Sequence, residues 1–298
     1  MRTNLHVPVL LEEALHYLGV MREGIYVDCT IGQGGHALKI LESNPEAKLM
    51  GFDLDEESLR ITKERLKDYA ERVELYHSDF RYLPDLKIDF SQIKGILLDL
   101  GISSYHLDSP ERGFSYLKTG PLDMRMDLRS NITAEKIINT YSEPRLANLL
   151  YEYGELRQAK RLAKEIVTRR KMSKITTTTQ LFRIVEEVCR WRPQKGKTHP
   201  AARVFQAIRI AVNQELEGLA EFLEYVAQKM HSGARLVAIS FHSLEDRIVK
   251  HTFIKLASFQ EKDPELRILT KKPVTPTEKE VADNFRARSA KLRAAERV

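Results

Sequence analysis

Short apolar runs that end on an acid recur along the first third of the chain. Ile25-Tyr26-Val27 breaks at Asp28, a second run ends at Asp53, Val73-Glu74-Leu75-Tyr76-His77 leads into Ser78-Asp79-Phe80, and Gly95-Ile96-Leu97-Leu98 stops at Asp99. Runs of this length, bounded by turn signals, predict buried strands. Between them the apolar positions change to helical spacing, at Leu38 and Leu41 and again at Leu59 and Leu66 within a helix expected over 56–69. Ahead of the first strand, Leu10, Leu11, Ala14, Leu15 and Leu18 predict a core-packed helix ending near Gly19. Strands alternating with helices argue for a Rossmann-like α/β fold on a mainly parallel sheet.

Beyond Ser104 the pattern changes. Residues 108–115 and 120–127 are loops rich in Gly, Pro, Asp and Arg. Helices are expected over 134–141, 144–153, 155–170 and 178–189, with Ser142-Glu143-Pro144 and the Thr176 to Thr179 run as starts, since Ser and Thr cap free N–H groups and proline suits a first turn. Further helices over 201–211 and 215–230 lead to a buried strand at 233–241 and a helix at 244–256. The sheet is thus interrupted and then completed. Residues 1–108 and 213–298 form one discontinuous cofactor-binding domain, and 109–212 an inserted, mostly helical, substrate-recognition domain.

The turn after the first strand, Gly32-Gln33-Gly34-Gly35-His36, lacks Cβ atoms where a ligand could approach the backbone and the free N–H groups of the next helix. It also satisfies the loose dinucleotide fingerprint, with an acid about twenty residues on. Asp53 stands where it could accept both hydroxyls of a ribose. Asp28, just before the glycines, would repel a pyrophosphate and suits the amino group of a methionine moiety, which shifts the expectation to S-adenosylmethionine. Phe80 suits an adenine face. Asp99 and Gly101-Ile102-Ser103-Ser104 lie at the carboxyl edge of the sheet, where open α/β folds bind ligands.

At 298 residues and 42% hydrophobic content the chain can bury a proper core. No apolar run approaches a membrane span, and Met1 to His6 lacks the apolar segment of a signal peptide, so a cytosolic protein is expected. Cys29 and Cys189 belong to no C-x-x-C pair, and packed thiols are the expectation rather than a disulfide or a metal site. The formal charge of +6 is modest but unevenly spread. Arg157, Lys160, Arg161, Lys164, Arg169, Arg170, Lys171 and Lys174 crowd a stretch in which Glu165 is the only acid. Arg190, Arg192, Lys195, Lys197 and Arg203 form a second cluster, and Arg286, Arg288, Lys291, Arg293 and Arg297 a third. A single basic face is usually solvated surface, whereas three beside a cofactor fold favour a polyanionic partner.

Eight segments in order carry a resemblance: His6-Val7-Pro8-Val9-Leu10, the glycine turn, Leu97 to Ser104, Arg112-Gly113-Phe114-Ser115, Gly120 to Asp127, His199 to Ile210, Ser240 to Arg247, and Arg288 to Arg293. Together they resemble the bacterial MraW-type ribosomal RNA methyltransferases nearly end to end. The resemblance implies a class I S-adenosylmethionine-dependent methyltransferase with a helical insertion. It also implies methylation of the exocyclic N4 amine of a cytidine in the decoding region of 16S ribosomal RNA. Cofactor contacts carry over to Gly34, Gly35, His36, Asp53, Phe80, Asp99 and His106. The chain departs at Ser103-Ser104-Tyr105-His106, where the family often has Ser-Ser-Pro-Gln, and at Asn284-Phe285-Arg286, where a proline often follows the asparagine. The partner implied is small-subunit ribosomal RNA, whether naked or within an assembling or finished 30S subunit. No membrane is expected, and the insertion suits a dimer face or an RNA face equally.

A cytosine amine delocalises its lone pair into the ring and carries an extra proton as a methyl arrives, so the site needs hydrogen acceptors held in line. Asp99 and Ser103 are the candidate catalytic residues for that role. The target base must leave its stack, and Tyr105, Phe114 and Tyr116 are candidate stacking rings, with Phe241 read as core. His242 could be a ligand, carry a proton or cap a strand end; with no second His or Cys nearby at ligand spacing, no metal is expected. His199 suits a helix start or a phosphate contact. Asp123, Arg125 and Asp127 read either as a charge network or as an ordered lid. Two other classes stay open: a nicotinamide-dependent oxidoreductase, and a non-catalytic RNA-binding assembly factor with a vestigial pocket.

Overall fold

The computed structural model describes residues 8–193, 198–258 and 263–298; His6-Val7 of the first segment, and Lys195 and Lys197 of the second basic cluster, lie outside them. In chain order the elements are α1 (Leu11–Leu18), β1 (Gly24–Asp28), α2 (Gly35–Ser43), β2 (Ala47–Asp53), α3 (Glu56–Arg65), β3 (Val73–His77) and β4 (Ile93–Asp99). There follow α4 (Ser104–Asp108), α5 (Ala134–Thr140), α6 (Glu143–Glu152), α7 (Ala159–Met172), α8 (Thr178–Cys189) and α9 (Pro200–Asn213). The chain closes with α10 (Leu219–Lys229), β5 (Arg235–Ser240), α11 (Ser243–Leu256), β6 (Leu266–Ile268), α12 (Glu278–Asp283) and β7 (Lys291–Arg297). Two compact units result, Met1–Gly101 with Leu216–Val298, and Ile102–Glu215. The change of unit follows directly on β4, ahead of the Gly/Pro-rich loops.

The first unit holds a seven-stranded sheet in the order β3-β2-β1-β4-β5-β7-β6. Strands β1 to β5 pair in parallel, and β7 runs antiparallel to β5 and β6. This is a mainly parallel, Rossmann-like sheet. Strand order reverses on either side of β1, which opens a crevice outside the carboxyl ends of β1 and β4. Side chains alternate between two buried faces, as covered parallel strands must. Ile96 and Leu98 pack with Phe222, Val249 and Phe253 from α10 and α11, while Leu97 packs with Leu18, Ile40 and Leu41 from α1 and α2.

Some element ends differ from the pattern. The helix expected over 56–69 stops at Arg65 and passes into a 3₁₀ turn, Lys67–Arg72. Glu155 sits at φ +49° and Gly218 at φ +71°, left-handed positions that delay α7 to Ala159 and α10 to Leu219. The hydrophobic pattern announces no strand at β7, because KLRAAER carries charge at four of its seven positions. Those charges are neutralised from elsewhere: Arg293 donates to Asp246 (Nε–Oδ1 2.6 Å), Lys291 lies 3.2 Å from the same carboxylate, and Glu296 accepts from Arg235 at 3.0 Å. Part of the third basic cluster is therefore internal structure, with Arg293 only 8% exposed.

The second unit packs α5 to α9 around its own core, including Leu146, Leu150, Leu162, Ile166, Leu181, Val185, Val204 and Ile208. Thr177 and Gln180 form a reciprocal cap at the start of α8. The Asp/Arg loop is a charge network: Asp123 takes Arg125 on both oxygens (2.8 and 2.7 Å), Arg125 also reaches the Leu128 and Ser130 carbonyls, and Arg112 binds the Arg125 and Met126 carbonyls. Asn213 closes the loop by accepting from Met126 N–H and donating to Met124 O. Among the described residues no helix is long and apolar enough to cross a membrane.

Candidate functional site

Gly34, at φ +73°, caps α2, and a Cβ there would meet Thr62 at 3.0 Å. A Cβ on Gly35 would stand 2.4 Å from Pro8 Cγ, so packing alone requires that glycine. Gly32 differs: at φ +51° its nearest atom would be Thr30 O at 3.9 Å, which leaves the backbone approachable. Its N–H donates to Asp53 Oδ2 (2.8 Å), and its carbonyl accepts from Thr62 Oγ1 (2.6 Å). Asp53 Oδ1 also accepts from Asp55 N–H at 2.8 Å. Asp53 thus braces the turn while its oxygens keep lone-pair capacity for further donors.

Below the turn two acids are held by one threonine. Thr30 N–H donates to Asp28 Oδ1 (3.2 Å), and Thr30 Oγ1 accepts from Asp99 N–H (2.7 Å). Asp28 is 2% exposed, and burial pushes its carboxyl up to about 7, with the Asp53 charge adding and the Thr30 bond opposing. Burial likewise holds Asp99 well above the ordinary carboxylate range, helped by Asp28 and then Glu245. Asp99 Oδ1 is buried without a hydrogen-bond partner among the described residues, and Oδ2 lies 3.7 Å from His36 Nδ1. His36 is buried, with Nε2 3.1 Å from Val9 O. Asp79 contrasts with this pair, since it forms a salt bridge to Arg81 and caps the turn that begins at Phe80.

Crowded, desolvated carboxyls favour a cation and disfavour a second anion. A cation bound here would offset the cost of ionising these acids, so the site favours a positively charged, nucleoside-bearing ligand over one carrying a pyrophosphate. Asp28, Gly34, Gly35, His36, Asp53 and Asp99 come together at this edge. Phe80 stands just past β3, its ring half-buried and edge-on to Phe222 with centroids 4.8 Å apart. Thr30 escaped the sequence reading; its signal was a hydroxyl two residues after the acid that ends β1.

Ser103 and His106 belong to the second unit. Ser103 Oγ caps α4, accepting from His106 N–H (3.3 Å) and lying 3.2 Å from His106 Nδ1. Phe114 is 5% exposed and stacks toward His106 at 4.8 Å, which makes it core rather than a platform for a base. Tyr116 lies nearly parallel to Phe182 and His199, at 5.9 and 5.7 Å. His199 caps α9, accepting from Ala201 N–H at 3.0 Å, and His242 caps α11 in a reciprocal box with Glu245; both are helix starts.

A family model described as the MraW methylase family matches residues 3–298. The ribosomal RNA small subunit methyltransferase H of Thermotoga neapolitana is 48% identical over 301 residues, covering 99% of this chain and 97% of that protein. The protein of that name from Caldicellulosiruptor saccharolyticus is 48% identical over 310 residues (98% and 99% covered), and that from Clostridioides difficile 42% over 307 (98% and 99%). Among solved structures, an rRNA methylase from Streptococcus thermophilus aligns with a TM-score of 0.40 at 13% identity, over 97% of this chain and 93% of that one, a likeness too distant to bear on function.

Proposed function

Since the chain belongs to the MraW methylase family, we propose that it methylates small-subunit ribosomal RNA, with S-adenosylmethionine as donor and the N4 amine of a decoding-region cytidine as acceptor. The observation that carries this reading is a pair of acids, the buried Asp28 and the half-buried Asp99 with its Oδ1 shielded from solvent, beneath an approachable glycine turn. S-adenosylmethionine supplies a methyl group on a cationic sulfonium, and the residues present fit such a group. Asp28 suits its amino group, Asp53 its ribose hydroxyls, Gly34, Gly35 and His36 the turn around it, and Phe80 its adenine, with His106 a further contact.

The acceptor amine would lose one proton as it gains the methyl group that bound S-adenosylmethionine would supply, and that proton needs an acceptor in the site. Asp99 is the proposed acceptor of the amine hydrogens: its Oδ1 is shielded and lacks a partner among the described residues, and a cation bound beside it would favour the ionised form that accepts a donor arriving with substrate. Ser103 is the second proposed acceptor, tested by its own substitution to alanine.

The reading is tested with methyl-labelled S-adenosylmethionine, offered with small ribosomal subunits and with naked ribosomal RNA from cells lacking the enzyme, followed by digestion to nucleosides. Label in N4-methylated cytidine is the expected result, and the better acceptor identifies naked RNA or particle as substrate. Cofactor binding without label in either would leave a non-catalytic RNA-binding factor as the alternative.

A further inference from the structure

Along α7, the residues that face the core are Ala159, Leu162, Ala163 and Ile166. At about 100° per residue, Lys160, Lys164 and Lys171 fall within about 40° of one another on the opposite side, spread over about 17 Å of helix axis. Arg157, Arg161 and Lys174 flank them, all exposed. The acids nearby are already engaged elsewhere: Arg169 holds both Glu165 (2.7 Å) and Glu187 (2.5 Å) on the flank of the helix. Arg170 turns away to donate to Ile138 O (2.7 Å). No salt bridge or side-chain hydrogen bond engages Arg157, Lys160, Arg161, Lys164, Lys171 or Lys174 among the described residues.

An ordinary solvated helix face mixes both signs, and here the local acids are neutralised off the stripe. The apolar stripe of α7 is buried in its unit's core, which leaves it none to insert into a membrane surface. A row of unpaired cations matches a row of phosphates, whose neutralisation releases counterions.

We propose that this face of α7 grips the phosphodiester backbone of the substrate RNA away from the methylated base. The proposal rests on the reading of the protein as an RNA methyltransferase, and it concerns positioning of the RNA, not the chemical step.

The test is equilibrium binding of small-subunit ribosomal RNA to the full chain over a range of salt, with the triple variant Lys160→Gln, Lys164→Gln, Lys171→Gln. Losing three phosphate contacts should lower the slope of log affinity against log salt by about 2 to 3, and weaken binding roughly ten- to a hundredfold at low salt. KM for RNA should rise with kcat and cofactor Kd unchanged. The triple Lys→Arg variant keeps the charge and should bind as wild type, which separates charge loss from misfolding. The triple Lys48→Gln, Lys63→Gln, Lys67→Gln, removing equal charge from the exposed surface of the other unit, should leave the slope nearly intact. An unchanged slope in the α7 variant, or an equal drop in that control, overturns the proposal. RNA bound by the wild type with this salt dependence but never methylated would overturn the methyltransferase reading and leave the α7 surface standing.

Discussion

Asp28 holds its proton up to about 7 in the folded protein, whereas an unfolded chain releases it near 3.8. The folded state therefore binds more protons between those values. The contribution of Asp28 to stability is present in full below the lower value and is lost as pH rises through the upper one. At pH 8 Asp28→Asn should raise Tm by several degrees, on the order of a few kcal/mol, and the difference should vanish in acid; equal melting at pH 8 would refute this. The destabilised carboxylate has a use. A cation binds the ionised form, so wild-type affinity for S-adenosylmethionine should weaken by up to about tenfold per pH unit as pH falls below about 7, while the Asn variant binds weakly at every pH. Asp99→Ala should lower single-turnover methylation at saturating cofactor by about a hundredfold or more, as removal of a positioned acceptor does. Near-normal turnover would exclude Asp99 from the transfer step.

At the scale of elements, the α2–β2 connection depends on one side chain that contacts no candidate site residue. Arg72 Nη1 donates to the carbonyls of Asn44 (2.9 Å), Pro45 (2.8 Å) and Ala47 (3.1 Å), and Nη2 to Leu41 O (3.2 Å). It thereby satisfies orphan carbonyls at the end of α2 with the charge that a helix C-terminus favours. Arg72→Met should cost about 1–3 kcal/mol in urea unfolding, with Lys recovering only part, because an ammonium cannot span four acceptors in a fork. The same scale explains the glycine turn. Gly35 is demanded by Pro8 and Gly34 by a left-handed φ beside Thr62, so a glycine signature read for a ligand is also a record of helix packing.

Across the whole molecule, each unit has a core of its own. The cluster around Leu146, Leu162 and Val204 draws only on residues of Ile102–Glu215, and the two clusters that cover the sheet draw on none of them. Residues 102–215 expressed alone should fold into a cooperative helical unit, checked by circular dichroism and a single thermal transition. A molten, non-cooperative product would mean that this core needs the rest of the chain.

Much of the architecture was legible in the sequence because it is written locally. Parallel strands buried on both faces are continuous apolar runs, an amphipathic helix repeats every three to four residues, and a tight turn needs glycine, so β1 to β5, the interruption and the acids at the strand ends could all be read in order. Tertiary structure alone decided where charge ends up. β7 could not be read because the partners that make Lys291, Arg293 and Glu296 tolerable in a sheet, Asp246 and Arg235, are tens of residues away. Four acids at strand ends look alike in the sequence, yet Asp79 is neutralised by Arg81 and Asp53 is tied to the glycine turn, while Asp28 and Asp99 are desolvated together. Desolvation and pairing depend on which distant groups arrive beside a side chain, and no local pattern encodes that.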